Sequence, residues 1–424
     1  MHCTRKALIA NLLCVLLASQ ALAASLMLSK PEDAGFNAER LKRIHPVIQS
    51  HIDAKDLAGA VTLVARKGRV VHFEAYGSTD FESGKPMRTD TLFRMASMTK
   101  PITAVAVLMM MEEGKLVLSD PVSKFIPEFK NPKVAMWTLP NDARGAGTRL
   151  VTADREVTLQ HILTHTAGLA VNTEGPAGDF YRKANLNQEG ISLAEFCKRA
   201  GALPLNFQPG TQWEYTSLVG FAILGRVVEI VSGMNLDQFF KQRIFTPLGM
   251  NNTFFNIPPN RMGDVATVYT RTEHGLAKQN PPAAPPPGVE FFSGAGGLTG
   301  SAEDYLQFCQ MLLNGGQWNG ARLLSRKSVE LMTDNAIGDL DLANYPEPGQ
   351  NLSGYGFGLG VRVRKSTGRS GWLGSVGDYG WAGANGTYFW IDPKEQLIGM
   401  VLMSTRVGRL RTEFPNAVYQ AIVD

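Results

Sequence analysis

The period of apolar and polar positions changes four times along the chain. Leu41, Ile44, Ile48 and Ile52 recur at helical spacing behind Asn37, a residue suited to capping. This spacing predicts a helix over residues 37–55, with Pro46 as a point of interruption. Residues 61–65 and 70–75 then turn β-rich on either side of Arg66-Lys67-Gly68-Arg69, which predicts a hairpin. From Ser97 to about Met332 the pattern predicts mostly helices and long loops. Helical runs cover 102–113 and 219–231, and Ser301-Ala302-Glu303-Asp304 reads as a capping box opening a helix through Leu313. The proline density of 281–288 enforces an irregular, extended path. β-rich runs return at 358–363, 386–391 and 397–403, and a last helix is expected over about 412–423. Strands at both ends of a helical middle predict an α+β fold. One antiparallel sheet would be assembled from N- and C-terminal pieces and flanked by helices, with an all-helical domain inserted between the pieces.

The N-terminus adds a destination. Arg5 and Lys6 precede an apolar run over 7–18 that only Asn11 interrupts, and Ala21-Leu22-Ala23 supplies small residues before Ala24. This is the layout of a signal peptide over 1–23, and an uncleaved anchor is the alternative. Cys14 lies inside the apolar core, so no lipid-attachment cysteine stands at the cleavage point. No later run is apolar enough to span a bilayer. A mature chain over 24–424, exported to the periplasm or the medium, is therefore expected.

Composition narrows the class only slightly. The chain has 424 residues, 44% hydrophobic and 19% charged, enough for a large core. A net charge of +4 with no basic stripe gives no reason to expect nucleic acid. Cys3 and Cys14 would leave with the signal. Cys197 and Cys309 sit in apolar helical settings, as a disulfide or as buried thiols.

Three short elements carry chemistry. Ser97-Met98-Thr99-Lys100 has S-x-x-K spacing, which places a serine hydroxyl and a lysine amine on one helix face. A serine is a weak nucleophile, and a desolvated lysine beside it can take its proton at neutral pH. The same four residues can also be a surface helix start with a solvated lysine. Tyr215, in Trp213-Glu214-Tyr215-Thr216-Ser217, stands at a loop-to-helix junction from which a phenol can reach a cleft and share the proton. A structural cap is the plainer role. Gly380-Trp381-Ala382-Gly383-Ala384 offers small residues where a strand edge can approach substrate, and the Ala384 N–H can join that of Ser97 in holding an oxyanion. An ordinary Gly-rich turn has the same composition. His161 and His165 are four apart, but Ile162 stands where H-E-x-x-H has its glutamate, so both read as structural and no metal is expected. The G-x-S-x-G elbow of α/β-hydrolases is absent.

Through these elements the chain resembles serine hydrolases of the β-lactamase superfamily, on the branch of class C β-lactamases, D-alanyl-D-alanine carboxypeptidases and family VIII carboxylesterases. Leu163-Thr164-His165-Thr166-Ala167-Gly168-Leu169, Ile244-Phe245-Thr246-Pro247-Leu248-Gly249-Met250, Ser293-Gly294-Ala295-Gly296-Gly297-Leu298 and Gly386-Thr387-Tyr388-Phe389-Trp390-Ile391-Asp392-Pro393 extend the match over nearly the whole mature chain. The resemblance implies an antiparallel sheet plus an all-helical domain with the site between them. It also implies Ser97 as acylated nucleophile, Lys100 as its partner base and Tyr215 as the tyrosine of Y-x-N. Two positions depart. Ser217 replaces the Y-x-N asparagine, and Trp381-Ala382-Gly383 stands where lactamases have K-T-G. An indole and a methyl offer a β-lactam carboxylate neither cation nor hydroxyl. Trp213, Tyr379 and Trp381 are expected as aromatic walls. The W-x-G pattern resembles the family VIII esterases, and a carboxylesterase on small or aromatic esters, without cofactor, is the expected activity. A β-lactamase, a D-Ala-D-Ala carboxypeptidase or other amide hydrolase, and a catalytically silent peptidoglycan-binding member of the fold are the alternatives.

Overall fold

The computed structural model describes residues 28–138, 147–170, 174–186, 188, 190–280, 290–340, 342–343, 345 and 350–424. The expected signal peptide and the 281–288 loop lie outside them. The hairpin forms as the sequence predicts. β1 (Gly59–Arg66) is buried along its whole length and turns at Lys67-Gly68 into β2 (Arg69–Asp80). Both turn residues have positive φ, +52° and +73°, the backbone a tight two-residue hairpin needs. A short β3 (Lys85–Pro86) follows on the outer edge. The C-terminal half supplies β4 (Tyr355–Phe357), β5 (Arg362–Arg364), β6 (Tyr379–Ala382), β7 (Tyr388–Asp392) and β8 (Leu397–Met403). The sheet order is β4-β5-β6-β7-β8-β1-β2-β3, antiparallel at every pairing. β1 and β8 join the two halves in register from Ala60↔Met403 to Arg66↔Leu397.

Both sheet faces are buried. One carries Leu63, Trp381, Phe389, Ile398 and Met400 and packs against α2 (Thr99–Glu112), α3 (Val219–Ser232) and α4 (Ala302–Leu313). The other carries Val64, Tyr388, Trp390 and Val401 and packs against α1 (Ile44–Asp53) and α5 (Leu410–Tyr419). α2 and α3 pack on each other; α2 is buried from Thr99 to Met110, while α3 keeps Arg226, Glu229 and Ile230 at the surface along one side. Among the described residues no single helix is long and apolar enough to cross a membrane. One bent pair, Val219–Ser232 with Leu236–Leu248, passes by length and composition, but its first helix is largely buried in this core.

Several local expectations need correction. The N-terminal helix is two pieces, Ala38–Leu41 capped by Asn37 and then α1, with Pro46 in the first turn of the second, where a missing N–H costs least. The helical middle also holds two hairpins, Lys133–Thr138 with Gly147–Thr152 and Tyr269–Thr272 with Gly275–Lys278. Residues 358–363 are not one strand. Gly360, at φ +80°, turns the chain between β4 and β5. Ser301 caps α4 by accepting from the Asp304 N–H, but the Asp304 carboxylate turns away to Asn252 N and Thr253 Oγ1, so the reciprocal half of the capping box is missing. Cys197 and Cys309 are separate buried thiols.

Candidate active site

Ser97 sits in a single 3₁₀ turn, Ala96–Met98, that runs directly into α2. Ala96 holds φ +46°, a conformation an alanine adopts only under constraint. The constraint comes from both sides. Arg94 pairs with Thr299, Met95 N donates to Leu298 O at 2.8 Å, and the Thr387 hydroxyl donates to Met95 O at 3.2 Å. A Cβ on Gly383 would stand 2.5 Å from that same Met95 oxygen, so only glycine lets the β6–β7 turn close on the Ser97 turn.

One helical turn on, Lys100 is wholly buried. Its Nζ lies 3.1 Å from Ser97 Oγ, 2.6 Å from Ser217 O and 2.7 Å from Ala295 O. Among the described residues no carboxylate pairs with it. Burial holds its ammonium well below the ordinary lysine range. The rings of Tyr215 and Phe221 lie beside it, with centroids 5.1 and 5.7 Å from Nζ. With two N–H groups committed to carbonyls, a neutral amine turns its lone pair to Ser97 Oγ. Once protonated, it donates to all three oxygens.

Tyr215 lies in the loop between residue 207 and α3. Its hydroxyl accepts from Trp381 Nε1 at 3.4 Å, and the two rings are 5.1 Å apart. His165 backs this loop, buried and at φ +57°. Its Nδ1 accepts from the Thr216 N–H at 3.2 Å and lies 2.9 Å from Thr216 Oγ1, while its ring meets that of Tyr215 edge-on at 4.7 Å. Burial holds the imidazole well below its usual pKa. His161 caps its own helix by accepting from the Thr158 N–H. No group of metal-ligating side chains occurs among the described residues.

A cleft of about 420 Å³ opens over Ser97. Of the residues the sequence singled out, Tyr215, Ser217, Trp381, Gly383 and Ala384 line it. The main-chain N–H groups of Ser97 and Ala384 have no acceptor among the described residues. Two expected walls fail. Tyr379 shares a strand face with Trp381 but lies two residues further into the core, near Cys309, where burial pushes its hydroxyl pKa up. Trp213 packs behind the wall against His165, Tyr345 and Phe357 and is not in the lining. Ser217 contributes its carbonyl to Lys100 as well as a place in the lining. Sequence reasoning missed Glu174, Glu214, Tyr345 and Leu352, and three arginines, Arg362, Arg406 and Arg411, which the fold brings to the cleft from separate segments.

A family model described as Beta-lactamase matches residues 44–423. The chain belongs to the β-lactamase family. Within it, the chain is 34% identical over 285 residues to esterase EstB of Burkholderia gladioli, covering 62% of this chain and 68% of that one. It is 28% identical over 393 residues to a putative D-alanyl-D-alanine carboxypeptidase of Escherichia coli K12, covering 82% and 81%. The solved structure of EstCE1, a hydrolase with promiscuous acyltransferase activity, superposes with a TM-score of 0.74 at 28% identity, covering 90% of this chain and 99% of that one. The family model and these relatives establish a serine hydrolase with the β-lactamase and penicillin-binding-protein fold.

Proposed function

We propose that the protein is an exported carboxylesterase for small or aromatic esters, working through an acyl-enzyme on Ser97 within one catalytic domain over 24–424. Lys100 carries this reading. Its amine is sealed from water, two N–H groups are held by carbonyls, and its remaining position faces Ser97 Oγ. Ser97 Oγ attacks the ester carbonyl as its proton passes to Lys100 Nζ. The N–H groups of Ser97 and Ala384 receive the oxyanion. The proton then reaches the leaving alkoxide through the Tyr215 hydroxyl, the C–O bond breaks, and the alcohol departs. Water repeats the sequence on the acyl-enzyme and restores Ser97. No cofactor enters these steps. The layout of residues 1–23 supports export.

Trp381 and Ala382 support an ester over a lactam, because they replace a cation and a hydroxyl with an aromatic plane and a methyl. Arg406 in the lining favours a second reading, a carboxypeptidase- or lactamase-like preference for substrates with a carboxylate. The two separate on steady-state kcat/KM for p-nitrophenyl butyrate, a chromogenic cephalosporin and a D-Ala-D-Ala peptide. The ester should dominate. Ser97→Ala should remain folded and inactive, and mass spectrometry should place the acyl adduct on the Ser97 peptide. Restoring K-T-G with Trp381→Lys and Ala382→Thr should move the ratio toward the lactam by about ten- to a hundredfold, the worth of one charge-assisted hydrogen bond. Efficient cephalosporin or peptide turnover with negligible ester cleavage would overturn the ester assignment.

A further inference from the structure

We infer that Arg411 is a positioning residue for the oxyanion site, acting through the Gly383–Ala384 peptide. This rests on the acyl-enzyme reading above. Arg411 lies in the first helical turn of α5, an element packed on the opposite face of the sheet from Lys100; it is only 2% exposed, and what is exposed lines the same cleft as Ser97 and Ala384. Its Nη2 donates to Gly383 O at 2.7 Å. That oxygen also accepts from the Gly386 N–H at 3.1 Å, closing the four-residue turn between β6 and β7. The carbonyl is therefore held by two donors, one of them charged.

A trans peptide is planar, so its N–H points opposite to its C=O. The N–H of this unit belongs to Ala384. With Gly383 O fixed toward Arg411 and the turn interior, the Ala384 N–H is turned away from both. It leaves the buried side of the turn at an exposed residue that lines the cleft, and it meets no acceptor among the described residues. A guanidinium on the carbonyl oxygen also draws electron density from the peptide, which makes the N–H a stronger donor. Other contacts seat Arg411 itself. Gln350 Nε2 donates to its carbonyl at 3.1 Å, and Gln350 Oε1 accepts from Arg362 Nη1 at 3.0 Å. Gly383 N donates to Thr387 O at 2.7 Å, so the turn is pinned from the strand side as well.

Losing one oxyanion donor costs about a hundred- to a thousandfold in kcat. Losing its support leaves the donor present but free to rotate, so a smaller loss of about ten- to a hundredfold is expected. The test uses Arg411→Met and Arg411→Lys in the full chain. Arg411→Met should lower kcat on p-nitrophenyl butyrate by that factor with little change in KM. It should weaken a trifluoromethyl ketone, which binds as an oxyanion, by a similar factor, and leave binding of butyramide, a neutral ground-state mimic, unchanged. Arg411→Lys should recover part of the loss, and it stands in if the methionine variant fails to fold. Labelling of Ser97 by a fluorophosphonate should slow in parallel, a readout that needs a nucleophile and an oxyanion site but no ester preference. A wild type labelled by the fluorophosphonate but inactive on esters would fail the esterase reading and leave this one testable. Folded variants with wild-type kcat, or equal losses for the ketone and the amide, would overturn the role. So would a loss confined to KM for substrates bearing a carboxylate, because that would give the guanidinium to the substrate.

Discussion

Replacing Lys100 with methionine separates chemistry from stability. Methionine keeps most of the aliphatic volume and removes the amine. On the activity side, a lost general base costs about a hundred- to ten-thousandfold in kcat. On the stability side the terms oppose each other. Keeping a lysine neutral at pH 7 inside the fold costs about 5 kcal/mol relative to an exposed one, and Lys100→Met removes that cost. It also leaves Ser217 O and Ala295 O without their donor, about 1–3 kcal/mol each. The sums nearly cancel, so the variant should melt near or above wild type while turning over at least ~100-fold more slowly. The pH dependence sharpens the test. Between the depressed folded pKa and the ordinary lysine value, the unfolded chain holds one proton more than the folded one. Wild-type stability should therefore rise with pH by up to about 1.4 kcal/mol per unit relative to Lys100→Met. Urea melts of both proteins at pH 7, 8 and 9 measure this difference. Parallel stability curves, or a variant within tenfold of wild-type kcat, would refute the neutral buried base.

Tyr215→Phe should lower kcat by at least ~100-fold, and the double variant with Lys100→Met should be little worse than the poorer single one, because residues in one proton path are not additive. Wild-type rates in Tyr215→Phe would reduce the tyrosine to a cap. His165→Asn keeps an acceptor for the Thr216 N–H and tolerates the left-handed backbone. It should hold its melting point and kcat, whereas His165→Phe leaves that N–H unmatched and should lose about 1–3 kcal/mol by denaturant melt, together with kcat. His72 is buried against Thr62 Oγ1 at 2.7 Å, and burial lowers its pKa to about 4. The unfolded chain protonates first, so about 3 kcal/mol of stability should disappear as pH falls from 6.5 to 4. His72→Gln should flatten that slope in melts across the range.

The sequence showed what depends on side-chain identity. The β1–β2 hairpin, α2, α3 and β8 follow from apolar periodicity and turn residues, and Ser97, Lys100, Tyr215 and Trp381 from spacing and resemblance. The 133–138/147–152 and 269–272/275–278 hairpins stayed hidden because their strands are short and do not alternate: Val134 and Ala135 are buried side by side while Met136 and Trp137 are exposed, and the other three strands are mostly exposed. Lys100's acceptors at Ser217 and Ala295 are carbonyls, which every residue carries, so nothing in the sequence marks them. Tyr379 was misplaced because alternation gives the face of a strand but not the depth along it. Arg406 and Arg411 lie beyond the strand that shapes the cleft, and only the tertiary return of the chain brings them there.

The pairing of β1 with β8 has a consequence during synthesis. Leu397, the first residue of β8, follows Arg66 by 331 residues, the difference of their positions. At about 5–20 residues per second, β1 waits roughly 20–70 s for its second neighbour. For that interval an eight-residue strand, buried along its whole length in the finished fold, presents one row of unpaired N–H and C=O groups. Such an edge is a template for pairing with other chains. Yield should therefore depend on how well newly made chains are kept apart, and crowding of nascent chains should lower it even where the finished protein is stable.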